Sequence, residues 1–231
     1  MHIPDGFIDA PVSIAAGGLA IAAVALSVRG AKREVAEASA PMAGLTAVFI
    51  FAAQMVNFPV GAGTSGHLIG AALAAILIGP YAAVLAMTVV LLVQALVFAD
   101  GGLSALGLNV LNLAVIAVAV GWLVFTALIR VVPPGKAGLW VAAGLAGFVS
   151  TLGAAGGFLM EFALGGTVPV SLPTVAAAML GVHAVIGIGE GIITALVVAA
   201  VAKVRPDLVF GLRGRVVPSQ PAAEVTAGVH P

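Results

Sequence analysis

The chain has 231 residues, 62% of them hydrophobic and 8% charged, with a mean hydropathy of +1.24 and a formal net charge of zero. A water-soluble domain usually carries about a quarter charged residues, so this composition excludes one. The chain has no cysteine, which excludes disulfides and thiolate metal sites, and no Gly-rich phosphate loop ending in Gly-Lys-Ser/Thr marks an ATPase within it.

Residues 1–10, MHIPDGFIDA, contain no basic stretch and no small-residue cleavage signature, so a removable signal peptide is not expected. Apolar runs then recur, each suited to cross a hydrocarbon core of about 30 Å as a helix. Seven segments are predicted: Pro11–Val28, Met42–Phe58, His67–Gly79, Tyr81–Ala99, Leu103–Ile129, Ala137–Leu164 and Leu172–Ala202. Lipid offers the backbone no hydrogen-bond partners, so helices or a closed barrel are the spanning options. A barrel would show short alternating segments. The expected fold is therefore all-α, a polytopic transmembrane helical bundle. The third segment is short and ends at Gly79-Pro80, which favours a break there and a helix that packs deep or lines a cavity. Fusion of the third and fourth segments is the rival count. Residues 1–205 read as one membrane domain, and 206–231 as a cytoplasmic tail, partly disordered.

Charge placement orients the bundle. All nine Lys and Arg residues follow the first, fifth or seventh segment: Arg29, Lys32, Arg33, Arg130, Lys136, Lys203, Arg205, Arg213 and Arg215. With seven spans they fall on one side, which the positive-inside rule makes the cytoplasm. The opposite side carries Asp5, Asp9 and Asp100. The N-terminus is expected outside, the C-terminus inside, and the chain in the cell (plasma) membrane. Gly144, Gly147, Gly153, Gly156 and Gly157 in the sixth segment favour close helix packing. Ala16, Ala20 and Ala23 on the first helix offer a surface where a partner could dock.

Met1-His2 is the most informative dipeptide. A free amine, the following amide nitrogen and the imidazole close a five-membered and a six-membered chelate ring around one cation. The three nitrogens lie nearly in a plane and leave one in-plane position, a geometry that suits Cu(II) and Ni(II) and tolerates Co(II). Binding displaces protons, so affinity should rise with pH. A bland reading makes His2 merely part of a polar start. His67 strengthens the metal reading, because its loop, Asn57 to His67, shares the outer side with the N-terminus. Ser65 and Asn57 can fix an imidazole by hydrogen bonding, although Ser65 would serve equally as a helix cap. Asp5, in Pro4-Asp5-Gly6, most simply closes a turn that folds the N-terminus back toward His67.

MHIPDGF at the start, GTSGHLIG around His67 and GVHAVIGIGEGIIT in the seventh segment together resemble the CbiM/NikM family. These are substrate-binding (S) components of energy-coupling-factor (ECF) transporters for cobalt and nickel, and the resemblance spans residues 1–205. It implies a square-planar site of the Met1 amine, the His2 amide nitrogen, the His2 imidazole and the His67 imidazole. It also implies seven helices with the N-terminal segment folded into the bundle. Ni(II) or Co(II) is then a transported substrate, connected with cobalamin biosynthesis in the cobalt branch, and no organic cofactor is expected. The implied partners are two cytoplasmic ATPase subunits, a transmembrane coupling subunit and a small accessory membrane subunit, with the lipid bilayer around them and no nucleic acid.

His183 and Glu190 lie seven apart in the last segment, about two turns along one face. Ionisable groups in a bilayer are costly and usually face a cavity or partner. They read as pathway or structural residues, with Glu190 either anchoring the N-terminal segment, lining an exit route, or making a hydrogen bond within the bundle. Glu161 carries a weaker signal. Two other readings remain: a membrane metalloenzyme liganded by His2, His67, His183 and Glu190, and a carrier or channel that acts alone. The absence of an HExxH-type pair in the sequence argues against the enzyme.

Overall fold

The computed structural model of the protein describes residues 1–34, 40–61 and 64–214. Among them are seven helices: α1 (Ala10–Glu34), α2 (Ala40–Gln54), α3 (Ala71–Ile78), α4 (Pro80–Val97), α5 (Leu106–Val131), α6 (Lys136–Gly165) and α7 (Leu172–Val204). Five of these, α1 and α4 to α7, are long and apolar enough to cross a membrane. The break at Gly79-Pro80 is present: Gly79 takes φ 96°, and Pro80, whose missing N–H costs a first turn nothing, opens α4. The intervening α3 has only eight residues, every one buried, so it is the expected deep-packed short helix.

Three differences from the sequence reading matter. The second helix stops at Gln54, and the chain turns into an antiparallel hairpin, β1 (Phe58–Gly61) and β2 (Thr64–Gly66), so the fold is not purely helical. The apolar composition of Phe58-Pro59-Val60 hides that change of period. His67 consequently lies in an irregular stretch before α3 rather than on its first turn. Ser65 sits in β2 opposite Pro59, six residues before the helix begins, and does not cap it; Gly70 holds that position without a side-chain bond. The fifth helix runs through a wider π-helical section, Val110–Ile116, that periodicity did not announce.

Helices α6 and α7 approach backbone to backbone, since a Cβ on Gly191 would stand 2.7 Å from the Gly144 carbonyl oxygen. Gly147 packs on the same stretch of α7, and Gly153 and Gly157 face α5, whereas Gly156 meets open space. Ala16 and Ala20 are buried within the chain, so those two belong to the bundle's own packing and not to an outer docking surface. Lipid-sized apolar side chains such as Ile14, Ile21, Leu45, Leu96, Val185 and Leu196 are exposed on the outside, as a bilayer-facing surface requires.

The packed chain continues past residue 205. Two short 3-10 turns, Pro206–Leu208 and Phe210–Leu212, bury Val209 completely and set Phe210 against Trp122 at 5.6 Å. Arg213 donates to the Glu34 carbonyl at 2.7 Å. These contacts join the ends of α1, α5 and α7, and Gly211 packs on Phe125 and Ile76. Arg215 and the remainder of the expected tail, 215–231, lie outside the described residues, as do Ala62 and Gly63.

Candidate metal site

The first nine residues form no helix, yet Met1, His2 and Ile3 are buried. An irregular segment inside a bundle needs partners for its main-chain polar groups, and this one finds them in Asn109 on α5 and in the loops that carry Gly102, Ser104 and Thr167. Asn109 accepts from the Ile3 N–H at 2.8 Å through Oδ1 and donates to the Ile3 carbonyl at 3.2 Å. Gly102 N–H donates to the same carbonyl at 2.9 Å. Asp5 accepts from both the N–H and the hydroxyl of Ser104, at 2.7 and 2.6 Å. These bonds hold the Asp5 carboxyl below its ordinary range. A side chain at Gly102 would collide with the Asp5 backbone, so the two strands of chain can meet only because that residue is glycine.

Beyond the turn, Thr167 donates to the Gly6 and Phe7 carbonyls, and Asp9 N–H donates to Gly165. Asp9 then caps α1 by accepting from Val12 N–H at 3.0 Å. Phe7 packs between Phe158 and Phe162. Asp5 thus does what its turn motif suggested, with a side-chain partner, Ser104, that the motif did not reveal.

This anchoring places the His2 ring 4.6 Å, centroid to centroid, from the His67 ring at 31° between planes. His67 is completely buried, and its Nδ1–H donates to the Leu68 carbonyl at 2.8 Å, which leaves the lone pair on Nε2. Nε2 has no hydrogen-bond partner among the described residues. The loop carrying it is clamped by Glu190, whose carboxylate accepts from Ile69 N–H at 2.9 Å and Gly70 N–H at 2.6 Å, and by Gln54, which donates to the Ile69 carbonyl at 2.7 Å. Glu190 therefore makes a structural bond, as one of its readings held, but to the His67 loop and not to the N-terminal segment.

On the other flank, His2 Nδ1 stands 3.1 Å from Asp100 Oδ1. Asn57 donates to the second Asp100 oxygen at 3.2 Å, so it reaches the site through Asp100. Asp100 follows Ala99, whose φ of 52° is left-handed for a residue with a Cβ, a strain of about 1 kcal/mol. The strained turn persists because the Phe98 and Asp100 N–H groups both donate to the Gln94 carbonyl. Burial would raise the Asp100 carboxyl, but the bonds from His2 and Asn57 outweigh it and hold the group below its usual value.

Burial also drives the Met1 amine well below its ordinary value, with Asp100 opposing, and lowers His2, again with Asp100 opposing. Both nitrogen centres are thus inclined to shed their protons and present lone pairs. His183 is buried on α7 with Nδ1 on the Met179 carbonyl at 2.8 Å and Nε2 unpartnered among the described residues. No group of three His, Asp or Glu side chains among the described residues is arranged to hold a metal ion. Glu161 accepts from Asn112 at 2.6 Å and belongs to the α5–α6 contact.

Asp100, Asn109 and Ser104 were not singled out as site residues. Asn109 had a signal, an amide inside the apolar run Leu106–Ile116, where a polar group needs a reason. Asp100 had one only as an outer acidic residue without a basic neighbour.

These features define a multi-pass helical membrane protein with the fold of transition-metal transporters. Two solved structures superpose on it: the crystal structure of a truncated transition metal transporter, with TM-score 0.81 and 29% identity over 88% of this chain and 99% of that one, and that of a transition metal transporter, with TM-score 0.81 and 30% identity over 88% and 93%. Residues 2–208 match the CbiM family, the cobalt uptake substrate-specific transmembrane region, and the chain belongs to that family. Its relatives include the cobalt transport protein CbiM of Sorangium cellulosum, 34% identical over 92% of this chain and 96% of that protein. Another is the fused nickel transport protein NikMN of Rhodobacter capsulatus, 33% identical over 95% of this chain and 67% of that one.

Proposed function

We propose that the chain is the substrate-binding component of an ECF-type importer that takes Ni(II) or Co(II) from outside the cell. The cation is held by the Met1 amine, the His2 amide nitrogen, the His2 imidazole and the His67 imidazole. The observation that carries this reading is the pairing of the His2 and His67 rings at 4.6 Å beside a buried N-terminal amine. Asp5 and Ser65 stand outside the donor set, Asn57 acts on Asp100, and Glu190 sets the His67 loop.

Charge arithmetic supports the same donors. A divalent cation in an apolar interior needs its charge cancelled locally. Deprotonating the His2 amide supplies one negative charge and Asp100, at 3.1 Å from His2 Nδ1, supplies the second. With the His2 ring neutral and its one proton on Nε2, Nδ1 is free to hold the cation beside Asp100, and the loaded site is neutral overall. Planar nitrogen donors favour Ni(II) and Co(II) over Zn(II), which prefers a tetrahedron.

The basic residues gather at the opposite end, and the positive-inside rule sets that end in the cytoplasm of the plasma membrane and the N-terminus outside. Met1, His2 and His67 are each at most 5% exposed. A cation so enclosed leaves only when the N-terminal segment or the His67 loop moves, which is work for two ATPase subunits, a coupling subunit and an accessory membrane subunit.

Competitive calorimetric titration of the purified chain with Ni(II) and Co(II), with a free Met1 amine and with one extra residue before it, tests the proposal. The extension should abolish tight binding while the helical circular dichroism stays unchanged. Undiminished affinity in the extended chain would overturn the chelate.

A further inference from the structure

The end of the bundle remote from His2 and His67 carries a groove of about 1020 Å³ between the α5–α6 turn, the first turn of α6 and the last turns of α7. Its wall is apolar, built from Leu139 and Trp140 on α6 and Leu196 and Ala199 on α7. Lys136 and Lys203 also line it, and none of the described residues that line it is acidic. Gly135 precedes α6 without offering a side-chain acceptor, so the free N–H groups of a thirty-residue helix open beside Lys136.

We propose that this groove binds one anionic phospholipid. Its phosphate sits among Lys136, Lys203 and the first turn of α6, and its acyl chains run along Leu139, Trp140 and Leu196. Both halves of the groove are needed to choose the occupant. Two lysines and a helix N-terminus attract a phosphate, but a free phosphate would leave the apolar wall wet. The same wall accepts any acyl chain, yet a zwitterionic lipid brings its own ammonium to the lysines and loses most of the attraction. The position suits a lipid, because α6 and α7 have the length and hydropathy of membrane spans and Trp140 is half exposed close to their basic end, the usual level of an interfacial tryptophan. The inference does not depend on which cation the other end carries.

The chain has two tryptophans, so Trp122→Phe leaves Trp140 as the sole tryptophan, excited selectively at a wavelength where Tyr81 does not absorb. In that background, reconstituted in vesicles, brominated phosphatidylglycerol should quench Trp140 more effectively than brominated phosphatidylcholine. Two surface lysines at about fivefold or somewhat less each imply about ten- to thirty-fold in relative affinity. The double variant Lys136→Gln, Lys203→Gln should reduce the preference to under about twofold while nickel binding at the far end is retained. Native mass spectrometry of the unmodified chain gives a second reading, in which one phosphatidylglycerol should survive detergent removal and phosphatidylcholine should not. Equal quenching and equal retention of the two lipids would mark the face as ordinary lipid annulus or a protein-docking surface and overturn the proposal, as would a preference undiminished in the double variant.

Discussion

Both ends of the described chain fold back into the bundle, but by different physics. Residues 1–9 are held mainly by directional bonds: Asn109 and Gly102 on Ile3, Ser104 on Asp5, Thr167 on Gly6 and Phe7. Residues 206–214 are held mainly by apolar contact, with Val209 buried and Phe210 against Trp122, and Arg213 adds one bond. Apolar packing tolerates small displacements, whereas a chelate does not, because donor atoms must meet a cation within a few tenths of an ångström. The difference indicates which end must be aimed and which need only be covered.

Substitutions can break or sharpen that contrast. His67→Ala removes a proposed donor directly and should weaken Ni(II) binding by more than the 10–100-fold typical of outer-shell changes, measured by calorimetry; equal metal uptake would remove His67 from the site. Asn109→Ala strips the Ile3 N–H of its partner and leaves the Ile3 carbonyl with Gly102 alone. It should cost about 10–100-fold in affinity and about 1–3 kcal/mol in stability, seen by titration and denaturant melts together. Asp5→Ala loses exposed bonds, chiefly those to Ser104. A loss of about tenfold or less in affinity is expected, restored in part by Asp5→Asn. Phe210→Ala should lower stability by about 1–2 kcal/mol and leave affinity unchanged. A Phe210 variant that bound metal as poorly as the Asn109 variant would erase the distinction between the two ends.

The helical architecture was legible because lipid permits so few backbone arrangements. Hydropathy therefore located seven segments, and the Gly79-Pro80 dipeptide marked the break that follows the buried short helix. The hairpin of Phe58–Gly61 with Thr64–Gly66 was not legible, since four apolar and small residues look alike in either conformation. For the candidate site, Met1-His2 and the turn at Asp5 were readable from local chemistry, the resemblance joined His67 to them, and the structure sets the two rings 4.6 Å apart. Glu190's partners, Ile69 and Gly70, stand 121 and 120 residues away in sequence. Asp100 reaches His2 only through the strained Ala99. No local pattern encodes such meetings, because they depend on how the helices cross.

The π-helical section Val110–Ile116 has a consequence for how the two halves of α5 are phased. Asn109 ahead of it faces the N-terminal segment, and Asn112 within it faces Glu161 on α6. An α-helix advances about 100° per residue, so one widened turn offsets everything before it relative to everything after. Deleting a single residue between 113 and 116 would let the helix close to regular winding, swinging the Asn109 amide through roughly that angle. The membrane span would survive with its hydropathy intact, while the carboxamide that grips the third residue would turn away from it. The loosened turn acts as a vernier, aligning one stretch of helix with two neighbours that ask for different azimuths.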